Sequence, residues 1–239
     1  YYEGYTVPYC LQSIDTVIAD IHALGPKDRQ LTVWVNEHAR WTPNLDDNTT
    51  WVQTGGLQGA ISTADFLMEL MIRPEVEAAN YWAYGHRGPW QVLNADWENN
   101  ASPKFGTGIY HLYHLQNEAY LPKVQAIEVD HKGCSHHPKG YNYTVNAVLF
   151  SDPETNKKAL VAINRSPQQD FMLNLKLKES KNYRVRQLLL TGEELTTVNT
   201  PSNPNALELQ DSDLKICLSD DGHMVFHLPA KSVVAWIWE

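Results

Sequence analysis

The chain has 239 residues, with 19 Lys or Arg against 28 Asp or Glu, for a formal net charge of −9. Apolar residues make up 43% and charged residues 20%, the composition of a chain that buries a real core. The acidic balance offers no Lys/Arg stripe to neutralise phosphates, and no apolar run approaches the roughly 20 residues of a membrane span, so neither nucleic acid nor membrane is an expected partner.

The chain opens on Tyr1, Tyr2, Glu3, Gly4 and Tyr5, with no Met and no basic n-region of a signal peptide, as a segment of something longer would. From Ser13, apolar residues recur at Ile14, Val17, Ile18, Ile21 and Leu24, which predicts a helix capped by Ser13 and stopped at Gly25 and Pro26. Residues 31–35 predict a short strand that ends at Asn36 and Glu37. A polar stretch runs to about Gly59. Ser62 and Asp65 then have the spacing of a capped helix start, with an apolar face of Ala64, Leu67, Leu70 and Met71 and a stop at Pro74. Residues 78–83 predict a buried strand, and Ile109, Leu112, Tyr113 and Gln116 mark a helix reaching about Leu121. Helix, strand, helix, strand, helix is the order of an α/β unit with a parallel sheet, where function lies beyond the carboxyl ends of the strands.

After Pro122 the period changes to two. Residues 171–178 alternate cleanly, 183–186 do the same, and residues 124–129, 145–150, 159–163, 224–228 and 233–238 read as further strands. Seven to nine short strands separated by turns such as the one at Asp152 and Pro153 predict an antiparallel β-sandwich. The domain boundary is expected near Leu121 and Pro122, giving units 1–121 and 122–239.

Eight Trp and 12 Tyr stand against five Phe, and six of the Trp fall before residue 122. Rings with an apolar face and a polar handle suit sugars, although a core built of Trp and Tyr would show the same counts. Three cysteines are too few and too scattered for a zinc knuckle. Cys134 and Cys217 would pair only in a secreted protein, with Cys10 left over. Four Asn-x-Ser/Thr sites, at Asn48, Asn100, Asn142 and Asn164, bear on the same question. His111 and His114 lie three apart on a helix and His136 and His137 are adjacent, without the spacing that closes a tetrahedral site, so no metal and no cofactor is expected. The glycines at 106 and 108 do not make a phosphate loop.

The sharpest local feature is LTVWVNEHARW at 31–41. A hydrophobic strand ends in a carboxylate, and in a parallel α/β barrel that end faces the pocket. Glu37 is therefore a candidate to attack an anomeric carbon. A Glu that pairs with Arg40 or caps the following turn is the alternative. The next strand delivers Trp82 near its own carboxyl end, and the long loop behind it holds Trp90, Asn94, Asp96 and Trp97, a reasonable wall for a sugar site.

Tyr1 and Tyr2, then WVNEHARW at 34–41, ADFLMELMIRPEVEAANYWA at 64–83 and GIYHLYHL at 108–115 together resemble the C-terminal half of the α-L-arabinofuranosidases of glycoside hydrolase family 51. KALVAINRSPQQDFMLNLKL at 158–177 resembles that family's C-terminal β-sandwich. The resemblance implies the C-terminal portion of a (β/α)8 TIM barrel followed by the sandwich. It implies a retaining mechanism with Glu37 as the strand-seven nucleophile, Tyr2 hydrogen-bonded to it, and Trp82, Trp41 and Trp90 at the sugar. The Asn36–Glu37 pair also looks like the strand-four acid/base of the same clan, but four more strand–helix units should then follow, and only one does. The family's usual Glu-Trp is here Glu37-His38, and the Trp-rich loop after Trp82 is unlike the family's run.

A barrel needs about 250 residues, so 121 residues cannot close one. The acid/base and the rest of the barrel, on the same polypeptide or on a complementary chain, are the expected partners besides the carbohydrate. The chain alone is expected not to hydrolyse glycosides, and a secreted or periplasmic location is favoured over a cytoplasmic one. A non-catalytic module that binds sugar or protein, and a clan enzyme acting on another sugar, are the competing expectations.

Overall fold

A computed structural model describes residues 6–40, 52–82, 84–85, 90–94, 104–127, 143–176, 183–216 and 222–239. The first helix, α1 (Thr6–Leu24), buries Leu11 fully and Ile14, Ile18 and Ile21 in part, while Val17 and Leu24 stay exposed. Spacings of three and four residues put those four on one side. Ser13 lies inside α1, so the expected cap there is corrected. Polar Gln12 and Ser13 simply occupy the solvent side of a helix that continues back past Leu11. The stop at Gly25 is present: its N–H reaches the Ile21 carbonyl at 2.9 Å, and a Cβ on it would lie 2.3 Å from that oxygen.

Two strands, β1 (Val33–His38) and β2 (Val76–Tyr81), pair in parallel. A parallel pair needs a long crossover, and here it contains α2 (Val52–Gly55) and α3 (Leu57–Met71). The expected helix start at Ser62 is also corrected, because α3 begins at Leu57 and Ser62 and Asp65 fall inside it. Gly59 permits that earlier start, since a Cβ there would sit 1.7 Å from the Thr54 carbonyl oxygen of α2. A two-residue antiparallel pair, β3 (Leu93–Asn94) and β4 (Phe105–Gly106), precedes α4 (Gly108–Ala119). Thr107 caps α4 by accepting the Ile109 N–H.

The second half consists of β5 (Lys123–Ala126), β6 (Val145–Ser151), β7 (Lys158–Asn164), β8 (Phe171–Lys176), β9 (Tyr183–Thr191), β10 (Leu209–Ile216), β11 (His223–Leu228) and β12 (Ser232–Trp238). Six of them form an antiparallel sheet in the order β10-β9-β12-β7-β6-β5, and β11 and β8 form a separate antiparallel pair. The two sheets face each other over a core that includes Leu160, Val185, Phe226 and Trp236. The Phe226 and Trp236 rings meet at a tilt with centroids 4.8 Å apart, and the Trp236 indole N–H donates to Gln187 at 2.9 Å. On its other face the six-stranded sheet packs Phe150, Val161, Ile163 and Leu188 against α3 and α4. Covered on both faces, β12 is buried at every position and β7 nearly so, which is why their sequences are continuous apolar runs rather than alternating ones. This core takes residues from both sides of the expected boundary near residue 121.

β10 is not among the strands that the sequence pattern predicts. It is an edge strand with an Asp-Ser-Asp centre that reads as a turn, and only Leu209, Leu214 and Ile216 are not fully exposed. Charge pairs hold it: Asp211 and Asp213 accept from Arg186 and Arg184 of β9 at 2.8 and 2.6 Å. Charged, half-polar edges of this kind also discourage pairing with other chains.

One buried polar cluster joins the helical layer to the sheet. Asp65 of α3, fully buried, takes a hydrogen-bonded ion pair from Arg165 just after β7. The Asn146 amide on β6 donates to Asp65 and Glu69 at 2.8 and 2.9 Å, and the Tyr143 hydroxyl reaches both Asp65 oxygens at 3.2 Å. Removing Arg165 leaves the buried Asp65 carboxylate without its counter-charge, a loss of about 3–5 kcal/mol. Arg165→Ala should therefore lower the denaturant midpoint by that equivalent, with Asp65→Leu/Arg165→Met costing less than either single truncation. A loss under about 1 kcal/mol in Arg165→Ala would contradict this role.

Candidate active site

The parallel pair has one covered face and one open face. Val35 of β1 and Val76 and Ala79 of β2 pack against Leu11, Leu67, Leu70 and Phe66 of α1 and α3. Trp34, Asn36 and Glu37 of β1, and Glu77 and Asn80 of β2, are exposed on the opposite side. Each strand also keeps one unpaired edge among the described residues. Trp34 is 57% exposed, and its indole N–H donates to the Glu77 carboxylate at 2.9 Å. The Thr32 hydroxyl donates to the same oxygen at 2.6 Å, and these two bonds hold Glu77 below the usual carboxylate range.

Glu37 reaches this open face through an irregularity in β1. Val35 is opposite Ala79 and His38 opposite Tyr81, so three steps on β1 match two on β2. An extra residue of this kind is a β-bulge, which re-aims the side chains that follow. Without it, Glu37 would share the covered side with Val33 and Val35. With it, Asn36 and Glu37 are both exposed and His38 is buried instead. Glu37 makes no side-chain hydrogen bond or ion pair among the described residues, and Arg40 turns its guanidinium to Gln58 at 3.0 Å. The alternative in which Glu37 pairs with Arg40 is not what this geometry contains.

His38 lies in the layer between sheet and helix. Its ring stands 5.5 Å from those of Phe66 and Tyr81, edge-on to the latter. Neither its Nε2 nor the Tyr81 hydroxyl finds a hydrogen-bond partner among the described residues. Burial pushes the imidazole down to about 4, so it is neutral near pH 7, and it pushes the Tyr81 phenol up.

Trp82 follows directly after β2 and is 49% exposed; its N–H bonds to the His38 carbonyl at 3.0 Å, placing it beside the end of β1. Trp90 is half-buried and its indole donates to the Arg40 carbonyl at 2.9 Å, which ties the loop after β2 to the segment after β1. The structure thus brings Glu37, Trp82 and Trp90 to one end of the parallel pair. Tyr2 and Trp41, with Asp96 and Trp97, lie outside the described residues. Trp34, Glu77 and Asn80 are not among the site residues the sequence predicts, although strict alternation from Val33 and Val35 singles out Trp34.

Asn164 is fully buried and its amide donates to the Gln169 and Pro229 carbonyls at 2.8 and 2.9 Å, so it is not a glycan acceptor in the folded chain. Cys10 is a free thiol on α1, while Cys134 and Cys217 lie outside the described residues, as do Asn48, Asn100 and Asn142. Among the described residues there is no group of three or more His, Cys, Asp or Glu placed to hold a metal ion, and no helix long and apolar enough to cross a membrane.

No family model matches the sequence, and no curated protein sequence matches it. Solved structures do. The α-L-arabinofuranosidase from Thermotoga maritima, in its arabinose complex, matches 99% of this chain with a TM-score of 0.78 at 14% identity. The GH51 α-L-arabinofuranosidase from Thermotoga petrophila matches 98% with a TM-score of 0.79, also at 14% identity. The catalytic domain of the GH30 xylanase C from Talaromyces cellulolyticus matches 89% at a TM-score of 0.55 and 17% identity. The matches cover 50%, 49% and 42% of those proteins, so the chain spans about half the length of the solved structures it resembles. Over nearly all of its residues, then, the chain has the fold of half of an α-L-arabinofuranosidase.

The buried imidazole sets a pH dependence whose sign follows from its direction. The unfolded chain binds a proton at His38 below about pH 6.5 that the folded chain refuses until about pH 4. Stability should therefore fall as pH drops across that window, by up to about 3 kcal/mol from this residue. His38→Phe should lose less stability than the wild type between pH 7 and pH 4.5, read from denaturant midpoints. Identical losses in the two proteins would contradict a buried, neutral His38.

Proposed function

We propose that the chain is the C-terminal part of a retaining glycoside hydrolase that releases arabinofuranosyl residues from plant-type polysaccharides or oligosaccharides. In this reading residues 1–121 supply the last strand–helix units of a (β/α)8 barrel and residues 122–239 form the C-terminal β-sandwich. β1 and β2 are then strands seven and eight. The observation that carries the reading is Glu37, an exposed carboxylate turned by a bulge onto the open face at the carboxyl end of a parallel strand, on a fold shared with about half the length of each matched arabinofuranosidase.

The chemistry asked of Glu37 is nucleophilic. Its carboxylate attacks the anomeric carbon as a second carboxyl group protonates the leaving oxygen, and water then releases the sugar from the glycosyl ester. The two carboxyls of a retaining pair stand about 5–5.5 Å apart. We assign the second to the remainder of the barrel. Glu77 is engaged by Thr32 and Trp34 near the start of β2, away from the carboxyl end where Glu37 lies. Tyr2 would donate a hydrogen bond to Glu37, and Trp82, Trp41 and Trp90 would offer ring faces to the sugar.

The open face supports the same reading. Trp34 and Trp82, with Asn36 and Asn80, are the residue types that a closed barrel buries or turns to a ligand, and the unpaired strand edges are what adjoining strands would cover. The remainder of the barrel is the partner this surface fits, and a secreted or periplasmic location suits an enzyme acting on polysaccharide.

In the complete polypeptide, Glu37→Gln should lower turnover of an aryl α-L-arabinofuranoside by at least about a thousandfold, the scale of nucleophile loss in covalent catalysis. The 239-residue chain by itself should give no turnover. Undiminished turnover in Glu37→Gln would overturn the assignment, and preference for an aryl xyloside would replace the sugar while keeping the nucleophile.

A further inference from the structure

Resting on the reading of Glu37 as nucleophile, we infer that His38 is its positioning residue: the buried ring, seated between Phe66 and Tyr81, holds the β1 bulge that turns Glu37 to the open face. Three observations meet here. The register of β1 against β2 slips by one residue between Val35 and His38, and nowhere else beyond Trp34. Burial switches at the same place, with Asn36 and Glu37 exposed and His38 buried. The backbone after the slip is pinned, because the His38 carbonyl accepts the Trp82 N–H at 3.0 Å.

Size and shape do the work in this arrangement. A flat ring fills the gap that Phe66 of α3 and Tyr81 of β2 leave on the covered face, with centroids 5.5 Å from each. If the gap were empty, β1 could relax to the unbulged register, in which residue 37 lies opposite Tyr81. Glu37 would then point at α3, and its burial there would cost far more than burial of a neutral imidazole. Nε2 finds no hydrogen-bond partner among the described residues, so packing of the ring rather than a bond at that nitrogen holds it between Phe66 and Tyr81. An apolar ring of similar size should therefore serve as well, and a small side chain should not. The Trp82 contact means that one bond fixes both the end of the nucleophile strand and a wall of the sugar site.

The test measures kcat and KM of the complete polypeptide for His38→Ala, His38→Phe and Glu37→Gln with one aryl arabinofuranoside. Displacing a reacting group by about 1 Å costs on the order of a hundredfold. The expected result is a fall in kcat of roughly ten- to a hundredfold for His38→Ala with KM within about threefold. His38→Phe should recover kcat to within about threefold of wild type. Amide exchange at Trp82 should quicken in His38→Ala and not in His38→Phe. A wild-type kcat in His38→Ala, with Glu37→Gln inactive, would overturn the positioning role and leave the nucleophile standing. A folded His38→Phe as slow as His38→Ala would overturn it too, by showing that the ring nitrogens matter. Full turnover in Glu37→Gln would instead remove the reading beneath it.

Discussion

Everything in this chain is arranged around α3 having two apolar sides. Leu67 and Leu70 pack toward α1, β1 and β2, while Leu57, Ala60, Ile61, Ala64 and Met68 pack toward α4 and the six-stranded sheet. A helix buried on both sides is a spacer, and its rotation fixes where the parallel pair sits relative to the sandwich. Asp65 sets that rotation. Its ion pair with Arg165 and its bonds from Asn146 and Tyr143 reach from the helix to the sheet through a dry layer. Buried ion pairs add little net stability over apolar packing, but they admit few alternative alignments, and a one-step rotation of α3 would leave a carboxylate stranded.

Given that alignment, the parallel pair is presented with one face covered and the other bare. The covered face explains the apolar residues of β1 and β2. The bare face explains why Trp34 and Trp82 are half exposed although large rings are usually withdrawn from water. It is also where the carboxylate of Glu37 lies, free of partners among the described residues. The proposed role as nucleophile calls for that freedom, since a carboxylate tied into an ion pair is a poorer nucleophile. The sandwich has its own inner core of aromatic packing around Trp236 and a charged edge at β10, and its outer face shares a second core with α3 and α4.

Much of this was legible in the residues. Period two in residues 171–176, period three to four in α1 and α4, and the apolar runs of β7 and β12 each report which sides of an element are covered. Glu37 could be placed at the end of a strand because hydrophobic residues stop there. What was not legible depends on partners distant in sequence. The bulge at Asn36 and Glu37 exists only as a register against β2, and no feature within β1 announces it. Ser13 and Ser62 look like caps because a hydroxyl before an apolar run is a cap wherever the helix does begin, and here the helices begin earlier. Asp65 looked like part of such a cap, and is instead the acceptor for an arginine a hundred residues on. β10 hid behind its Asp-Ser-Asp centre because its exposed carboxylates also pair with arginines on β9, a partner distant in sequence.

The central claim is that the carboxylate turned out by the bulge forms the bond to the sugar. Treating the complete polypeptide with a slow-turnover 2-fluoro arabinofuranoside and mapping the modified peptide by mass spectrometry tests it most directly. The claim predicts one glycosyl ester, located on Glu37 and discharged when the reagent is removed. A glycosyl ester on any other carboxylate would contradict it.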